Sequence, residues 1–226
     1  MKPETYEAWY ETPRGRWIGT VEYSLLKSLL RVTPESSVID IGCGTGHFTR
    51  LFAQTTTGLV VGLDPNAEWL SYANGHSMNN ECYVTGRAEA LPFPDRSFDY
   101  TVSVTSLCFV NDPMQALHEM VRITRRRIVL GLLNRFSLLY LGKGRKGEGA
   151  GGYKGAHWDS PAEVRALLAS VAIDNVILRS AIVLPQGTAL ARAIERCLPD
   201  TILLGGFLAV SGDLQVSQQH PVPVRP

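Results

Sequence analysis

The sequence has no excess of either charge and no long apolar run. Its 226 residues carry a formal net charge of +1, which favours neither nucleic acid nor an anionic membrane as a partner. No apolar stretch is long enough to span a bilayer, and residues 1–4 do not begin a signal-peptide core. We therefore predict a cytoplasmic protein with no membrane span and no nucleic-acid partner.

Cysteine is scarce and widely spaced. The four cysteines, Cys43, Cys82, Cys108 and Cys197, contain no C-x-x-C pair. Zinc sites and the disulfide frameworks of small secreted proteins use regular, mostly close cysteine spacings, so the sequence predicts neither, and no metal site. Each thiol is expected to fill apolar space.

The remaining composition is that of an ordinary globular domain, with 45% apolar and 19% charged residues. No internal repeat and no linker divides the chain. We predict one domain over residues 1–214, with a helical lid at 1–31 and a substrate-side insertion at 134–159. Residues 215–226, rich in glutamine, proline and valine, are expected to form a disordered tail.

A glycine-rich turn follows the apolar run at residues 38–41, which is typical of a strand buried on both faces. Gly42, Gly44 and Gly46 stand at alternate positions, and apolar residues at helical spacing come next. Such a turn lets backbone N–H groups approach a ligand, because no β-carbon intervenes. The dinucleotide fingerprint G-x-G-x-x-G requires its third glycine at position 47, where His47 stands. Dinucleotide binding is therefore the weaker interpretation.

Residues 40–46, D-I-G-C-G-T-G, resemble motif I of the class I S-adenosylmethionine-dependent methyltransferases, an acidic residue followed by G-x-G-x-G. In that family the acidic residue holds the methionine end of the cofactor, which carries an ammonium as well as a sulfonium. The resemblance implies that the cofactor is bound by Asp40, Gly42, Cys43, Gly44 and Gly46.

A second apolar run, residues 59–63, ends at Asp64 and Pro65. Asp64 lies 22 positions after Gly42, close to the spacing at which an acidic residue meets the ribose in doubly wound folds. A carboxylate accepts hydrogen bonds from both ribose hydroxyls. The alternative is that Asp64 only caps the following helix. With the resemblance in place, we expect Asp64 to bind the ribose and Pro65 to lie against the adenine.

Residues 86–99, G-R-A-E-A-L-P-F-P-D-R-S-F-D, resemble a second run of the same family, G-D-A-E-x-L-P-F-x-D-x-x-F-D. The resemblance implies that the backbone N–H of Ala88 and the side chain of Glu89 bind the adenine edge. Arg87 departs from the pattern, since an acidic or small polar residue is commoner there. A cofactor contact that the family's acidic residue makes at this position is therefore replaced or lost here, and we expect Arg87 to face solvent.

Thr105 and Ser106 follow the predicted fourth strand, residues 98–104. Ligands of open α/β sheets bind beyond the carboxyl ends of the strands, so both residues are expected near the cofactor, with Ser106 facing the acceptor. The Asn-Pro-Pro-Tyr/Phe run typical of methyltransferases acting on nucleic-acid bases is missing from the sequence. This favours a small-molecule acceptor.

Three aromatic residues, Tyr6, Trp9 and Tyr10, lie in an amphipathic N-terminal segment. They either anchor this segment on the core or form a lid over cofactor and acceptor, where aromatic faces attract a sulfonium and exclude water. The run Tyr-x-x-Trp-Tyr-x-Thr-Pro-x-Gly also resembles the N-terminal segment of ubiquinone/menaquinone-type methyltransferases. We place the three residues in the acceptor pocket.

The segment 142–155 is rich in glycine and basic residues, which is typical of a surface loop or of a flap that orders on binding. His157 and Trp158 follow it, and Trp158 is expected in the acceptor pocket. His157 is a candidate general base or a hydrogen-bonded structural residue. Tyr6 is the other catalytic candidate. Residues 125–127, three arginines, favour a solvated turn over a phosphate site.

The predicted fold is one α/β domain with a three-layer, Rossmann-like, seven-stranded mixed sheet, its last strand antiparallel and helices on both faces. The resemblance implies a cytoplasmic enzyme, a monomer or homodimer, that transfers a methyl group from S-adenosylmethionine to a small molecule and releases S-adenosylhomocysteine. The alternative is a cofactor-binding protein of the same fold without methyl transfer.

Overall fold

A computed structural model describes residues 1–144, 151–199 and 201–215. The strands are β1 (Val38–Ile41), β2 (Val60–Asp64), β3 (Glu81–Thr85), β4 (Phe98–Val104), β5 (Thr124–Leu133), β6 (Ile173–Ala181) and β7 (Phe207–Leu214). The helices are α1 (Pro3–Glu11), α2 (Pro13–Leu30), α3 (His47–Ala53), α4 (Ala67–Gly75), α5 (Pro113–Ile123), α6 (Leu138–Lys143), α7 (Pro161–Ala169) and α8 (Ala189–Cys197). Short 3₁₀ turns lie at Leu107–Phe109 and Gly151–Tyr153.

The strands form one seven-stranded sheet in the order β3-β2-β1-β4-β5-β7-β6. β7 runs antiparallel to both of its neighbours, and the other pairings are parallel. The predicted fold class is confirmed. From β1 the chain adds β2 and β3 on one side and then β4 and β5 on the other, so the strand order reverses between β1 and β4. In open α/β sheets a crevice for ligands opens beyond the strand ends at this point.

Both faces of the sheet are covered, as a parallel sheet requires. All residues of β1 are buried. One core cluster includes Leu117 of α5 and Leu168 of α7, and another includes Leu26 of α2 and Phe52 of α3. The helices on either face therefore give the three predicted layers.

Local sequence signals set the helix boundaries. The Thr12 hydroxyl accepts a hydrogen bond from the Gly15 N–H at 3.0 Å, with Pro13 in the first turn of α2. Ser160 and Glu163 form a capping box at the start of α7. The Asp112 carboxylate caps α5 by accepting from the Gln115 N–H at 2.9 Å.

The predicted lid over residues 1–31 divides into two parts. Helix α1 borders a cavity described below, whereas α2 is a core helix that packs on β5, β6 and β7. The apolar face of α2 is long enough to bury Leu26 and Leu30 completely, so this helix covers the sheet.

The arginines predicted to form a solvated turn instead lie in β5, which begins at Thr124. Arg125 and Arg126 are exposed, 3.7 and 3.4 Å from the Asp99 carboxylate. For Arg127 the prediction was wrong. Its side chain is only 9% exposed.

Arg127 is paired in its buried position. Its Nε donates to Asp213 on β7 at 2.6 Å, and its Nη1 donates to the Leu29 carbonyl of α2 at 2.7 Å. One side chain thus ties β5 to a neighbouring strand and to the helix above it. A guanidinium in this position is tolerated because its charge and donors are both satisfied.

The last two strands meet beside the Gly205-Gly206 pair. β6 ends at Ala181, which pairs with Phe207, and β7 begins at Phe207 directly after the two glycines. A β-carbon at Gly205 would collide with the Ala181 backbone, so the pair lets the chain pass close to β6. Of the predicted tail, residues 216–226 lie outside the described residues, as do residues 145–150 of the glycine-rich segment.

No helix in the described ranges is both long and apolar enough to cross a bilayer.

Replacing Asp213 with alanine should destabilise the protein by about 3 kcal/mol, because the buried Arg127 guanidinium loses its carboxylate. Urea unfolding followed by circular dichroism measures the change. Asp95→Ala is the matched control: Asp95 also pairs with an arginine but is 75% exposed, so about 1 kcal/mol or less is expected. Equal losses in the two variants would contradict a buried-pair role for Arg127.

Candidate functional site

A cavity of about 890 Å³ opens at the carboxyl ends of β1, β2 and β4. Its wall includes the glycine turn after β1, helices α1, α2 and α4, and the 3₁₀ turn at Gly151–Tyr153. Small-molecule sites in proteins have volumes of roughly 300–1,000 Å³. The cavity is therefore large enough for two small ligands side by side or one extended ligand.

The glycine turn is shaped by two close approaches. Gly42 has a φ of 74°, and a β-carbon there would collide with the Ser106 side chain. Gly46 has a φ of 77°, and a β-carbon there would collide with the Tyr83 ring. Gly42 and Gly44 line the cavity, but Gly46 does not. Its predicted contact with a cofactor is not supported, because Gly46 instead turns the chain into α3 beside Tyr83.

Asp40 presents a buried carboxylate oxygen to this cavity. The side chain is 1% exposed, and Oδ2 accepts a hydrogen bond from the Thr49 hydroxyl at 2.7 Å. Oδ1 has no hydrogen-bond partner among the residues that the structure describes. Burial, together with the nearby charge of Asp64, raises the pKa of Asp40 to about 7. An unsatisfied buried oxygen of this kind is costly for folding alone and suits a ligand that donates hydrogen bonds.

Asp64 holds the glycine turn in place. Its Oδ2 accepts from the Gly44 N–H at 2.9 Å and its Oδ1 from the Asn66 N–H at 2.8 Å. The cap of α4 is Asn66, which accepts from the Glu68 and Trp69 N–H groups, so the alternative role of Asp64 as the helix cap does not apply. Burial raises the pKa of Asp64. Each carboxylate oxygen retains a lone pair for a donor in the cavity.

The other predicted cofactor residues reach the same cavity. They are Cys43, Pro65, Ala88, Glu89 and Thr105. Burial raises the pKa of Cys43 well above its ordinary value, so this thiol stays protonated. Arg87 is 64% exposed and lies 3.4 Å from the Glu89 carboxylate, consistent with its predicted position toward solvent.

The aromatic residues of α1 lie on the cavity wall. Tyr6, Trp9 and Tyr10 all line it, and so does Ser106. Tyr10 stacks on His47 with ring centroids 3.6 Å apart, and its hydroxyl lies 3.2 Å from that of Tyr6. Burial raises the pKa of Tyr6 to about 12, so the phenol is neutral near pH 7. The residues both pack on the core and face the cavity, which reconciles the two interpretations of this segment.

Glu7 fastens α1 to the helix that follows the glycine turn. Its carboxylate pairs with Arg50 and, at 3.2 Å, with His47 Nδ1. Burial opposes ionisation of Glu7, but the bonds and charges of His47 and Arg50 outweigh it and keep the pKa below the ordinary value. The Glu7 carboxylate is therefore ionised near pH 7.

The structure does not bring His157 or Trp158 to the cavity, contrary to expectation. The His157 side chain is 59% exposed and bonds to Asp159 at 3.0 Å. Its backbone N–H donates to the Cys108 carbonyl, which fixes the segment with the imidazole outward. Trp158 is buried behind the wall, against Tyr140 and other apolar residues. Neither position supports a catalytic or pocket role.

Sequence reasoning missed several cavity residues, among them Glu22, Trp69 and Tyr153. The signal for Glu22 was present: it stands four residues after Ile18 and four before Leu26, on the apolar stripe of α2. Trp69 on α4 packs against Tyr6, with ring centroids 5.1 Å apart. That contact joins elements distant in sequence, so no local pattern revealed it.

Comparisons with known proteins agree with this geometry. A family model described as a methyltransferase domain matches residues 39–130. An uncharacterized protein of Mycobacterium tuberculosis is 32% identical over 221 residues, covering 95% of this chain and 72% of that protein. This chain belongs to the S-adenosylmethionine-dependent methyltransferase family. The resemblance found in the sequence is thus confirmed.

Two further proteins with known or suggested activities are similar to this chain. A crystal structure from Thermotoga maritima, described as an S-adenosylmethionine-dependent methyltransferase and possible histamine N-methyltransferase, is 26% identical with a TM-score of 0.75, covering 94% of this chain and 96% of that one. A ubiquinone/menaquinone biosynthesis C-methyltransferase of Hahella chejuensis is 42% identical over 98 residues, or 40% of this chain and 39% of that protein.

Glu7→Gln should loosen α1, because the neutral amide loses its charge interactions with His47 and Arg50. We expect backbone amides of α1 to exchange hydrogen at least several-fold faster, measured by mass spectrometry of peptides covering residues 3–11. Glu11→Gln, on the same helix but with an 80% exposed side chain, is the control and should leave exchange unchanged. Unchanged exchange in Glu7→Gln would contradict the fastening role.

Proposed function

We propose that this protein transfers the methyl group of S-adenosylmethionine to a small-molecule acceptor and releases S-adenosylhomocysteine. The observation that carries the proposal is the single cavity that joins the buried Asp40 and Asp64 carboxylates to the aromatic residues of α1. The carboxylates suit the donors of the cofactor, and the aromatic part offers room for a second ligand. The alternative is a protein that binds the cofactor without transferring the methyl group.

The residues present fit the cofactor. The free Oδ1 of Asp40 would accept from the amino-acid ammonium, and Asp64 would accept from the ribose hydroxyls. Gly42 and Gly44 leave the backbone open to the methionine portion. Pro65, directly after β2, and Ala88 and Glu89, in the segment after β3, would lie beside the adenine.

The chain's own part in the reaction is to orient and to exclude water. The bound cofactor supplies a methyl group on a sulfonium; as the acceptor–methyl bond forms, the methyl–sulfur bond breaks and sulfur keeps the electron pair. Tyr6 and Tyr10 hold each other through their hydroxyls at the cavity wall, which limits access of water to the reacting atoms. An acceptor bound on this side is positioned for direct attack.

The comparisons support a small-molecule acceptor without deciding its nature. Histamine is the possible acceptor of the Thermotoga maritima protein, and the Hahella chejuensis enzyme acts in ubiquinone/menaquinone biosynthesis. The net charge of +1 offers no general attraction to nucleic acid. An acceptor of small size is also consistent with a cavity bordered by α1 on its outer side.

Asp64→Ala should weaken binding of S-adenosylhomocysteine by roughly 1.5–3 kcal/mol, because hydrogen bonds to a charged group are lost. Isothermal titration calorimetry measures the dissociation constant. The exposed Asp95→Ala serves as control and should bind as the unaltered protein does. A dissociation constant unchanged by Asp64→Ala would refute the ribose assignment.

The affinity for S-adenosylhomocysteine should rise from about pH 6 to about pH 8, because Asp40 has a pKa of about 7 and only its ionised form pairs with an ammonium. Below this range the carboxyl is neutral in the free protein and binding must first remove its proton. In Asp40→Asn the affinity should be weaker and the rise should be absent. A rise of equal size in Asp40→Asn would assign the pH dependence to another group.

Methyl transfer itself is tested by incubating the protein with methyl-labelled S-adenosylmethionine and sets of amines, phenols, quinols and thiols. The expected result is label in one acceptor class, with an equal amount of S-adenosylhomocysteine. Tight binding of S-adenosylhomocysteine with no labelled product from any class would favour the alternative of cofactor binding alone.

A further inference from the structure

The cavity has a second half, away from the glycine turn, and Glu22 is the acidic residue of its wall. Helix α2 carries Glu22 and packs on β5, β6 and β7, across the switch point from the cofactor residues. The cavity wall there is largely apolar, with Ile18, Leu133, Ile182 and Phe207. The other acidic residues of the wall, Asp40, Asp64 and Glu89, belong to the cofactor half.

Glu22 has no partner to compensate its charge. Within residues 1–144, 151–199 and 201–215, no side chain or backbone group forms a hydrogen bond or ion pair with its carboxylate. The arginine and lysine side chains of the cavity wall, Arg14, Arg87 and Lys143, form no ion pair with it, and the Arg14 Nε donates to the Pro185 carbonyl at 2.6 Å. Burial raises the pKa of Glu22 to about 8. An unpaired carboxyl in an apolar wall opposes folding, so folding alone gives no reason for its presence.

Aromatic residues share the cavity wall with Glu22. Tyr6, Tyr10 and Tyr153 line it, and burial, with a smaller contribution from Glu22, raises the pKa of each phenol. Burial keeps these phenols protonated, so they present hydroxyl groups and ring faces but no negative charge. Ring faces attract cations, and a phenol oxygen accepts a hydrogen bond from N–H. The surroundings of Glu22 therefore suit a cation better than an anion.

We propose that Glu22 binds a basic nitrogen of the methyl acceptor, so that the acceptor is an organic amine. This proposal rests on the proposed function, since it assigns the acceptor half of the same site. An ammonium would supply the positive partner that the Glu22 carboxylate lacks, and the tyrosine hydroxyls would accept hydrogen bonds from its remaining N–H groups. A carboxylate or phosphate acceptor would meet either an ionised Glu22 or an apolar wall.

Proton release on amine binding is a second measurement of the role of Glu22, because the carboxyl group changes its charge when an ammonium binds. The titratable and charged groups on the same cavity wall include Tyr6 and Tyr10 of α1, Arg14 of α2, Lys143 of α6 and Tyr153 of the 3₁₀ turn. At pH 7 the free carboxyl is mostly protonated, since its pKa lies near 8. Pairing with an ammonium lowers that pKa, so binding at pH 7 should release close to one proton per amine.

The test is calorimetric titration of the full chain, saturated with S-adenosylhomocysteine, with alkyl- and arylalkylamines and with the alcohols of the same carbon skeletons. At least one amine should bind roughly tenfold or more tightly than its alcohol, the gain expected for a charged hydrogen bond. Titration in buffers of different ionisation enthalpy should show proton release. Glu22→Gln keeps the size of the side chain and should lose both effects, whereas Glu4→Gln, at an exposed position, should keep them.

The outcomes separate this proposal from the proposed function. No preference for any amine over its alcohol, or an equal preference in Glu22→Gln, overturns the assignment of Glu22. S-adenosylhomocysteine binding is measured first on each protein and should be the same in Glu22→Gln as in the unaltered chain. Failure of the unaltered chain to bind it would instead overturn the proposed function, whatever the amines do.

Discussion

The hydrogen bond from the Gly44 N–H to the Asp64 carboxylate is the interaction on which the rest of the site depends. It joins the turn after β1 to the end of β2, and β1 itself borders the switch point between β1 and β4. The turn itself is confined between the Ser106 and Tyr83 side chains, so only glycine fits at Gly42 and Gly46. A backbone held in this way presents the same surface to a ligand each time, without a cost of ordering on binding.

The site also concentrates groups that are unfavourable for folding. Asp40 and Glu22 are carboxyl groups whose pKa values burial raises to about 7 and about 8. Arg127, a buried charge outside the cavity, is instead paired with the Asp213 carboxylate and the Leu29 carbonyl. The buried Arg127 charge is thus compensated, whereas Asp40 Oδ1 and the Glu22 carboxyl group on the cavity wall have no partner among the described residues. Perturbed pKa values commonly cluster at functional sites for this reason.

Helix α1 borders both halves of the cavity. Tyr6 contacts Trp69 on the cofactor side and bonds to Tyr10, which stacks on His47. The Glu7 pairs fasten this helix to α3, directly after the glycine turn. Ion pairs and stacked rings thus connect α3 with the aromatic wall of the cavity.

The sequence by itself determined the buried strands, the helix caps at Thr12 and Ser160, the glycine turn and the family, because spacing and turn chemistry act over a few residues. Only the tertiary structure decided which side chains meet. Arg127 finds a partner 86 positions away, and the His157 side chain turns to solvent, where it bonds to Asp159. Glu22 faces a cavity because several distant elements enclose it. Periodicity assigns a residue to one face of a helix or strand, but long-range packing chooses what covers that face.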